Sequence, residues 1–266
     1  MGDIVERGRR LVVRVGRNSL AFSAVGEGSE VIYEPYPLNS GISVAANMRE
    51  ALQTVALLGR SYGSVLVMVD TPVAMVPVEE YQEPTAGVFY HHAFTGQEHQ
   101  QVVSAVLPDL HCVALFAVSK DLQTVIGDHW RQVRYVPCMM PVWHHLHQRS
   151  YTGVRAKLYA YFHERQMDVF AFGKNRFRYC NAFAAGHAAD ALFYLLSVWK
   201  QLGMEAGRDE LYLVGELPAD GSLQARAEEF VKRVYVINPV GEFNRAPVAQ
   251  IAGVPYDIVT LYLKGL

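Results

Sequence analysis

The sequence predicts an α/β protein built from two similar lobes, each with the order strand-strand-strand-helix-strand. In both halves, apolar runs separated by short turn segments predict a β-hairpin followed by a third strand. An amphipathic segment with helical spacing follows, and then a continuous apolar run that is typical of a strand covered on both faces. The spacing agrees between the halves, because Leu11 to Val65 and Lys157 to Leu211 both span 54 positions. This common pitch favours a duplicated lobe.

The first lobe begins with a hairpin, LVVRVGRNSLAFSAV (11–25), whose turn is Gly16-Arg17-Asn18. Glycine and asparagine tolerate the positive φ that tight turns often require. A third strand is predicted at EVIYEPYP (30–37). A helix is then predicted from Ser43, and GSVLVMVD (63–70) has the β-branched, apolar composition of a buried strand.

The second lobe repeats this order. Its first three strands are predicted at KLYAYFH (157–163), MDVFAF (167–172) and RFRYCNAF (176–183), with a turn at Glu164-Arg165-Gln166. The helix begins near His187, and the following strand is ELYLVGEL (210–217). The remaining predicted elements are a helix capped by Ser222, a strand at VYVIN (234–238) and a C-terminal helix at PYDIVTLYLKGL (255–266).

An additional segment separates the two lobes. Its strand candidates are GVFYHHAF (87–94), QQVVSAVLP (100–108) and HCVALFAVS (111–119). Ser119 then caps a helix. We therefore place the first lobe at 1–150, with an inserted α+β subdomain at about 79–120, and the second lobe at 151–266.

Composition narrows the range of partners and compartments. The 266 residues are 51% hydrophobic and 19% charged. With a net charge of −2, the protein as a whole has no positive electrostatic field that would favour binding to nucleic acid or to an anionic membrane. Cys112, Cys138 and Cys180 lack the spacing of a disulfide framework or a metal site, and we expect buried free thiols. No signal peptide and no apolar run of about 20 residues is expected, which favours a cytoplasmic protein without a membrane span.

Two stretches, LVVRVGRNSLAFS (11–23) and YLVGELP (212–218), resemble a bacterial family of unknown function to which the actin-like ATPase fold is attributed. The segment VALFAVSKDLQTVIGDHWRQVRYVP (113–137) is more distantly similar to pilus-assembly and cell-division actin-like proteins. The resemblance implies two ribonuclease-H-like lobes, and it implies three loops that hold ATP and Mg²⁺ in active relatives.

In active relatives, the first hairpin carries an Asp that helps to hold the hydrated Mg²⁺, and a Gly two residues later. Matching this pattern to the sequence keeps Gly16 and places Arg14 at the Asp position. The reversed charge removes a metal anchor and repels Mg²⁺. We weigh an exposed arginine on an edge strand against an arginine that pairs directly with a phosphate, and favour the former.

The other two loops also depart from the pattern of active relatives. In the second hairpin, Phe162 stands at the first Asp and Glu164 at the Gly, so that only Asp168 is retained. In the adenosine loop, Gly215 is retained, but Glu216 replaces the second Gly. These departures leave no clear pair of metal-binding carboxylates.

We therefore expect a pseudo-ATPase, a scaffold or protein-interaction module that needs no cofactor and binds a protein partner. The alternative is a nucleotide-binding protein that uses ATP and Mg²⁺. Its candidate site residues are Arg14, Gly16, Asn18, Ser19, Asp168 and Gly215. A third hypothesis, a metal-dependent hydrolase, rests on two histidine clusters, His91/His92/His99 and His144/His145/His147. We expect His91 and His92 on opposite faces of a strand, which argues against joint ligation.

Overall fold

A computed structural model describes residues 9–151, 153–173 and 176–264 of the chain. The chain divides into two compact units, one formed by 1–107 and 112–140 and the other by 108–111 and 141–266. The division at 140/141 lies ten residues before the lobe boundary expected at 150. The C-terminal residues 265–266 of the predicted last helix lie outside the described residues.

The first unit contains a five-stranded sheet and a smaller inserted sheet. Its elements are β1 (Arg10–Val15), β2 (Ser19–Val25), β3 (Val31–Pro37), α1 (Val44–Thr54), β4 (Ser64–Val69), β5 (Val73–Pro77), α2 (Glu83–Ala93), β6 (Gln101–Leu107), β7 (Cys112–Val118), α3 (Lys120–His129) and β8 (Val133–Pro137). The main sheet has the order β3-β2-β1-β4-β8, with β1 antiparallel to β2 and parallel to β4. Strand β1 is therefore central, and its residues Leu11 to Val15 are all buried.

Helices α1 and α3 pack against each other; α3 begins at its predicted cap Ser119, and α1 begins after Ser43, where a helix start is predicted. The Ser43 hydroxyl accepts a hydrogen bond from the Ala46 N–H at 3.2 Å, and Ser119 accepts one from Leu122 at 3.4 Å. Each bond satisfies one of the backbone donors that a helix N-terminus leaves free. The predicted Ser222 cap differs, because its side chain makes no capping hydrogen bond.

The inserted sheet has the order β5-β7-β6 and is covered on one face by α2. Two of the predicted strands, 100–108 and 111–119, are confirmed as β6 and β7, whereas the strand prediction for GVFYHHAF (87–94) is wrong. The segment is helical because Ala86, Tyr90 and Phe94 recur every four residues and together pack on the sheet. His91 and His92 are therefore neighbours on a helix, not residues on opposite faces of a strand.

The second unit repeats the main sheet of the first. Its elements are α4 (Met140–Ser150), β9 (Lys157–His163), β10 (Gln166–Gly173), β11 (Arg176–Ala184), α5 (Ala188–Gln201), β12 (Glu210–Gly215), α6 (Leu223–Glu228), β13 (Val234–Ile237), α7 (Pro239–Glu242) and α8 (Tyr256–Lys264). The order β11-β10-β9-β12-β13 matches that of the first unit strand for strand. Leu11 pairs with Val65, a separation of 54, whereas Leu158 pairs with Leu211, a separation of 53. The separation between the paired strands therefore differs by one residue between the two units, whereas the sequence predicts equal separations.

Each face of the second sheet is apolar. Leu158, Ala160 and Phe162 face the core formed with α5. On the opposite face, aromatic rings stack across neighbouring strands, with centroid distances of 5.6 Å for Phe170–Tyr159, 5.3 Å for Tyr159–Tyr212 and 5.1 Å for Tyr212–Tyr235. Phe170 and Tyr159 are fully buried, so the aromatic residues of this lobe are mainly core, with Tyr235 at the exposed end.

Candidate functional site

The first hairpin contains four of the predicted site residues, Arg14, Gly16, Asn18 and Ser19. The Gly16 N–H donates to the Ser19 carbonyl at 2.8 Å and closes the loop between β1 and β2. The Asn18 carbonyl accepts a hydrogen bond from the Leu38 N–H at 3.3 Å, which ties the loop to the end of β3. The loop is therefore held by backbone hydrogen bonds on two sides.

Arg14 lies in the interior of the sheet, opposite Ala21 on β2 and Met68 on β4. Only 3% of its surface is exposed, so the expectation of an exposed arginine on an edge strand is wrong. The reason is topological: β4 returns parallel to β1 and converts an apparent edge strand into the centre of the sheet. An arginine, whose side chain carries a positive charge, is thus held in the core of the first sheet.

Asp70 is a carboxylate beside this hairpin that is not among the predicted site residues. Asp70 follows β4, and its N–H donates to the Val15 carbonyl at 2.8 Å. Its nearly buried side chain forms an ion pair with Arg17 Nε at 3.4 Å. A signal was present in the sequence, since a polar residue directly after a buried parallel strand is a common position for functional groups.

In the second unit, Asp168 and Gly215 lie on the two strands that flank β9. Asp168 on β10 pairs with Tyr161, and Gly215 on β12 pairs with Phe162. The Asp168 Oδ2 lies 2.7 Å from the His163 Nε2, and both side chains are largely buried. The carboxylate retained from the family pattern is thus hydrogen-bonded within its own hairpin.

Gly215 has a φ of +89°, and a Cβ at this position would lie 2.2 Å from the Phe162 carbonyl oxygen. The Glu216 N–H donates to that same carbonyl at 2.8 Å. The close approach of two strands therefore accounts for this glycine. The first hairpin belongs to one unit, and Asp168 and Gly215 belong to the other.

The three histidines of α4 each contact a different partner. His144 Nδ1 lies 3.4 Å from Asp109, His145 Nε2 lies 3.0 Å from Glu242, and His147 Nε2 lies 3.0 Å from the Tyr151 hydroxyl. Burial lowers the pKa of His144, although Asp109 opposes this effect. Within the described ranges, no three His, Cys, Asp or Glu side chains are grouped so as to hold a metal ion.

A family model described as "Protein of unknown function (DUF3822)" matches residues 6–234. This range covers both repeated sheets up to β13, and so most of the chain. The chain belongs to this family. A comparison with curated proteins gave no match.

Two solved structures resemble the DUF3822 chain over nearly its whole length. A Bacteroides thetaiotaomicron protein, described as having an actin-like ATPase fold and unknown function, is 22% identical, covers 99% of this chain and 98% of its own, and gives a TM-score of 0.86. The PilM-PilN type IV pilus biogenesis complex gives 11% identity, 96% and 98% coverage, and a TM-score of 0.63. The actin-like fold and its resemblance to a pilus protein are confirmed.

The structure also bears on the predicted cysteines and membrane spans of the DUF3822 chain. Cys112 and Cys138 are buried as expected, and burial raises the pKa of the Cys112 thiol to about 11. Cys180 is only half-buried, unlike the expectation for all three thiols. In the part of the chain that the structure describes, every helix is too short or too polar to cross a bilayer.

Proposed function

We propose that this chain is a cytoplasmic actin-like-fold protein that does not hydrolyse ATP and instead binds protein partners as a scaffold or interaction module. The observation that carries the proposal is the buried Arg14, which stands in the central strand at the position where active relatives use an Asp to hold Mg²⁺. An arginine guanidinium keeps its positive charge even in the core of a protein. It therefore opposes a divalent cation at this end of the sheet.

The neighbouring carboxylate does not restore a metal site. Asp70 forms an ion pair with Arg17, so two cationic side chains, Arg14 and Arg17, accompany one carboxylate at the first hairpin. A divalent ion bound here would have to displace Arg17 and tolerate Arg14. Both requirements disfavour the hydrated Mg²⁺ that ATP hydrolysis needs.

The second hairpin supports the same conclusion. Asp168 is the one carboxylate retained there, and its hydrogen bond to His163 at 2.7 Å occupies it within the unit. Glu164, at the position of the family's glycine, has a φ of +43° and carries a negative side chain into the turn. A carboxylate in this position repels a triphosphate unless a metal lies between them.

The fold supports the proposed binding of protein partners. The chain keeps both lobes and the inserted subdomain intact although its nucleotide loops differ from the active pattern. The PilM-PilN structure is a complex of two proteins, one of which shares this fold. A retained fold with altered loops is what selection for a binding surface, rather than for turnover, would leave.

The decisive experiment combines an ATPase assay with a thermal-shift assay, using ATP and ADP with and without Mg²⁺. We expect phosphate release at the buffer rate and no change in melting temperature at millimolar nucleotide. A ligand at about 100 times its Kd would stabilise the protein by about 2.7 kcal/mol, which is readily detected.

Three variants make the assay specific. Mg²⁺-dependent hydrolysis that is lost in Asp168→Asn would overturn the proposal. Stabilisation by ATP without hydrolysis, lost in Arg14→Met, would instead establish the nucleotide-binding alternative, with Arg14 on a phosphate. Glu228→Gln, an exposed carboxylate on α6, is the matched control that should respond as the wild type does.

A further inference from the structure

The inserted subdomain has an unusual charge distribution. The whole chain contains 24 Lys and Arg residues, yet residues 71–119, the part of the insertion that holds β5, α2, β6 and β7, contain none; Lys120 is the first residue of α3. The same stretch contains five acidic residues: Glu79, Glu80, Glu83, Glu98 and Asp109. Although the net charge of the chain is only −2, residues 71–119 carry only negative formal charges at neutral pH, with histidine counted as neutral.

This subdomain also has a groove with apolar walls. The groove lies between the end of β5 and helix α2 and has a volume of about 320 Å³. Its apolar lining includes Met75, Tyr81 and Phe89, and Glu80 lies at its wall. The groove therefore combines apolar side chains with three polar residues, Glu80, Gln82 and Thr85.

Large apolar side chains are exposed around this part of the insertion. Phe89 is 52% exposed, Val88 is 75% exposed and Val78 is 47% exposed. Two of them lie on α2, whose opposite side packs on the inserted sheet through Tyr90. Exposed apolar residues beside a groove are typical of a surface that binds another protein.

The main chain offers a further binding element. Strand β5 is at the end of the β5-β7-β6 sheet, and in the described chain it pairs with β7 alone. Met75 and Val76 of this edge strand line the groove. An edge strand beside apolar pockets is suited to an extended segment of a partner chain.

Charge selects the class of partner. Nucleic acids and anionic lipid surfaces bind through Lys and Arg, and this subdomain has neither. A second copy of this subdomain would bring like charges together, which costs free energy at an interface. A partner segment with Lys or Arg next to large apolar side chains matches both the apolar residues of the groove and Glu80, the carboxylate that lines it.

We propose that the groove between β5 and α2 is the docking surface for a basic, apolar segment of a protein partner. This docking surface rests on the proposed function as an interaction module. It adds where the partner binds and which side chains the partner segment carries. Phe89 is the central apolar contact, and Glu80 and Glu83 contact the cationic side chains of the partner segment.

The test uses a random library of short displayed peptides, selected on the full-length protein. Binding of the enriched peptides is then measured by fluorescence anisotropy on the wild type, Phe89→Asp and the double variant Glu80→Lys/Glu83→Lys. Phe193→Asp is the matched control, because Phe193 is 66% exposed on α5 of the other unit. All four sites are at the surface, and unchanged melting temperatures will verify folding.

We expect enriched peptides that combine Lys or Arg with aromatic or large aliphatic residues. Phe89→Asp and the double Lys variant should each weaken binding about tenfold or more, and Phe193→Asp should not. Binding to the wild type should weaken as salt is raised.

Several results would overturn the proposal. These are a library without specific binders, enriched peptides without cationic residues, or equal binding to Phe89→Asp. Light scattering that finds a dimer of the wild type and a monomer of Phe89→Asp would assign the groove to a second copy. None of these results depends on ATP turnover. The peptide experiments therefore test the docking surface, whereas the ATPase and thermal-shift assays test the proposed function separately.

Discussion

The His163 Nε2 lies 2.7 Å from the Asp168 Oδ2, across the turn that joins β9 to β10. The exposed fraction is 4% for the histidine side chain and 15% for the aspartate, so water screens the pair weakly. A buried, charge-assisted hydrogen bond of this kind contributes about 1–3 kcal/mol to stability. Asp168, which the resemblance to active actin-like ATPases makes a candidate site residue, thus has a structural partner.

A double-mutant cycle of Asp168→Asn and His163→Gln tests this pair. We expect each single variant to lower the free energy of unfolding, with a coupling free energy of about 1–2 kcal/mol measured by urea denaturation. Both variants should leave the response to ATP unchanged. A coupling free energy near zero would contradict the interpretation of Asp168 as a structural residue.

Gly215 is expected to tolerate no side chain. In Gly215→Ala, the new Cβ would meet the Phe162 carbonyl oxygen at 2.2 Å, and alanine would also have to adopt a φ of +89°. Gly203→Ala is the matched control, since its φ is +63° but nothing lies within 4 Å of the new Cβ. We expect a loss of about 1 kcal/mol for Gly203→Ala.

Gly215→Ala should cost more than this control by about 2 kcal/mol, or abolish soluble expression, because the neighbouring atom is backbone and cannot move aside cheaply. Urea denaturation of both variants gives the comparison. Equal losses of stability for the two variants would show that the positive φ alone, and not the close approach of β9, explains the need for glycine at position 215.

Glu242 connects α7 to two other helices of the second unit. Its carboxylate accepts hydrogen bonds from His145 at 3.0 Å and from the Tyr256 hydroxyl at 2.9 Å, and it pairs with Arg149. Burial alone would raise the pKa of Glu242, but the hydrogen bonds and the charge of Arg149 outweigh burial and hold it below 4.5.

A carboxyl group whose pKa is lowered by folding stabilises the folded state at pH values above the pKa of the unfolded chain. This contribution is lost as the pH falls through the pKa of the folded state. Glu242→Gln should therefore lower the free energy of unfolding by about 1–3 kcal/mol at pH 7. The difference from the wild type should shrink below about pH 4. Urea denaturation between neutral and acidic pH measures it, and a difference that grows on acidification would contradict the assignment.

The sequence predicts the two main sheets well because their central strands are buried on both faces and read as continuous apolar runs. It does not predict α2, since GVFYHHAF is rich in aromatic and β-branched residues and the packing of Tyr90 on the inserted sheet decides its conformation. The burial of Arg14 depends on β4, about 50 residues away, which no local pattern reveals.

The contacts of the candidate site are predictable to different degrees. The pair of Arg17 and Asp70 joins residues far apart in sequence, and only the parallel pairing of β1 with β4 brings them together. His163 and Asp168 differ, because a two-residue turn at Glu164 and Arg165 places them as diagonal neighbours on one face of the hairpin. The prediction of a three-residue turn that included Gln166 concealed this contact, since Gln166 belongs to β10.

This two-residue turn leads to a final prediction. Glu164 and Arg165 have φ values of +43° and +64°, the conformation of a type I′ turn, in which asparagine and glycine are the favoured residues. Glu164→Asn should therefore raise the free energy of unfolding by about 0.5–1 kcal/mol. Glu164→Val removes the same carboxylate but resists positive φ, so it should lower stability. Urea midpoints of the two variants that shift in the same direction would mean that the charge of Glu164, and not its backbone conformation, dominates at this turn.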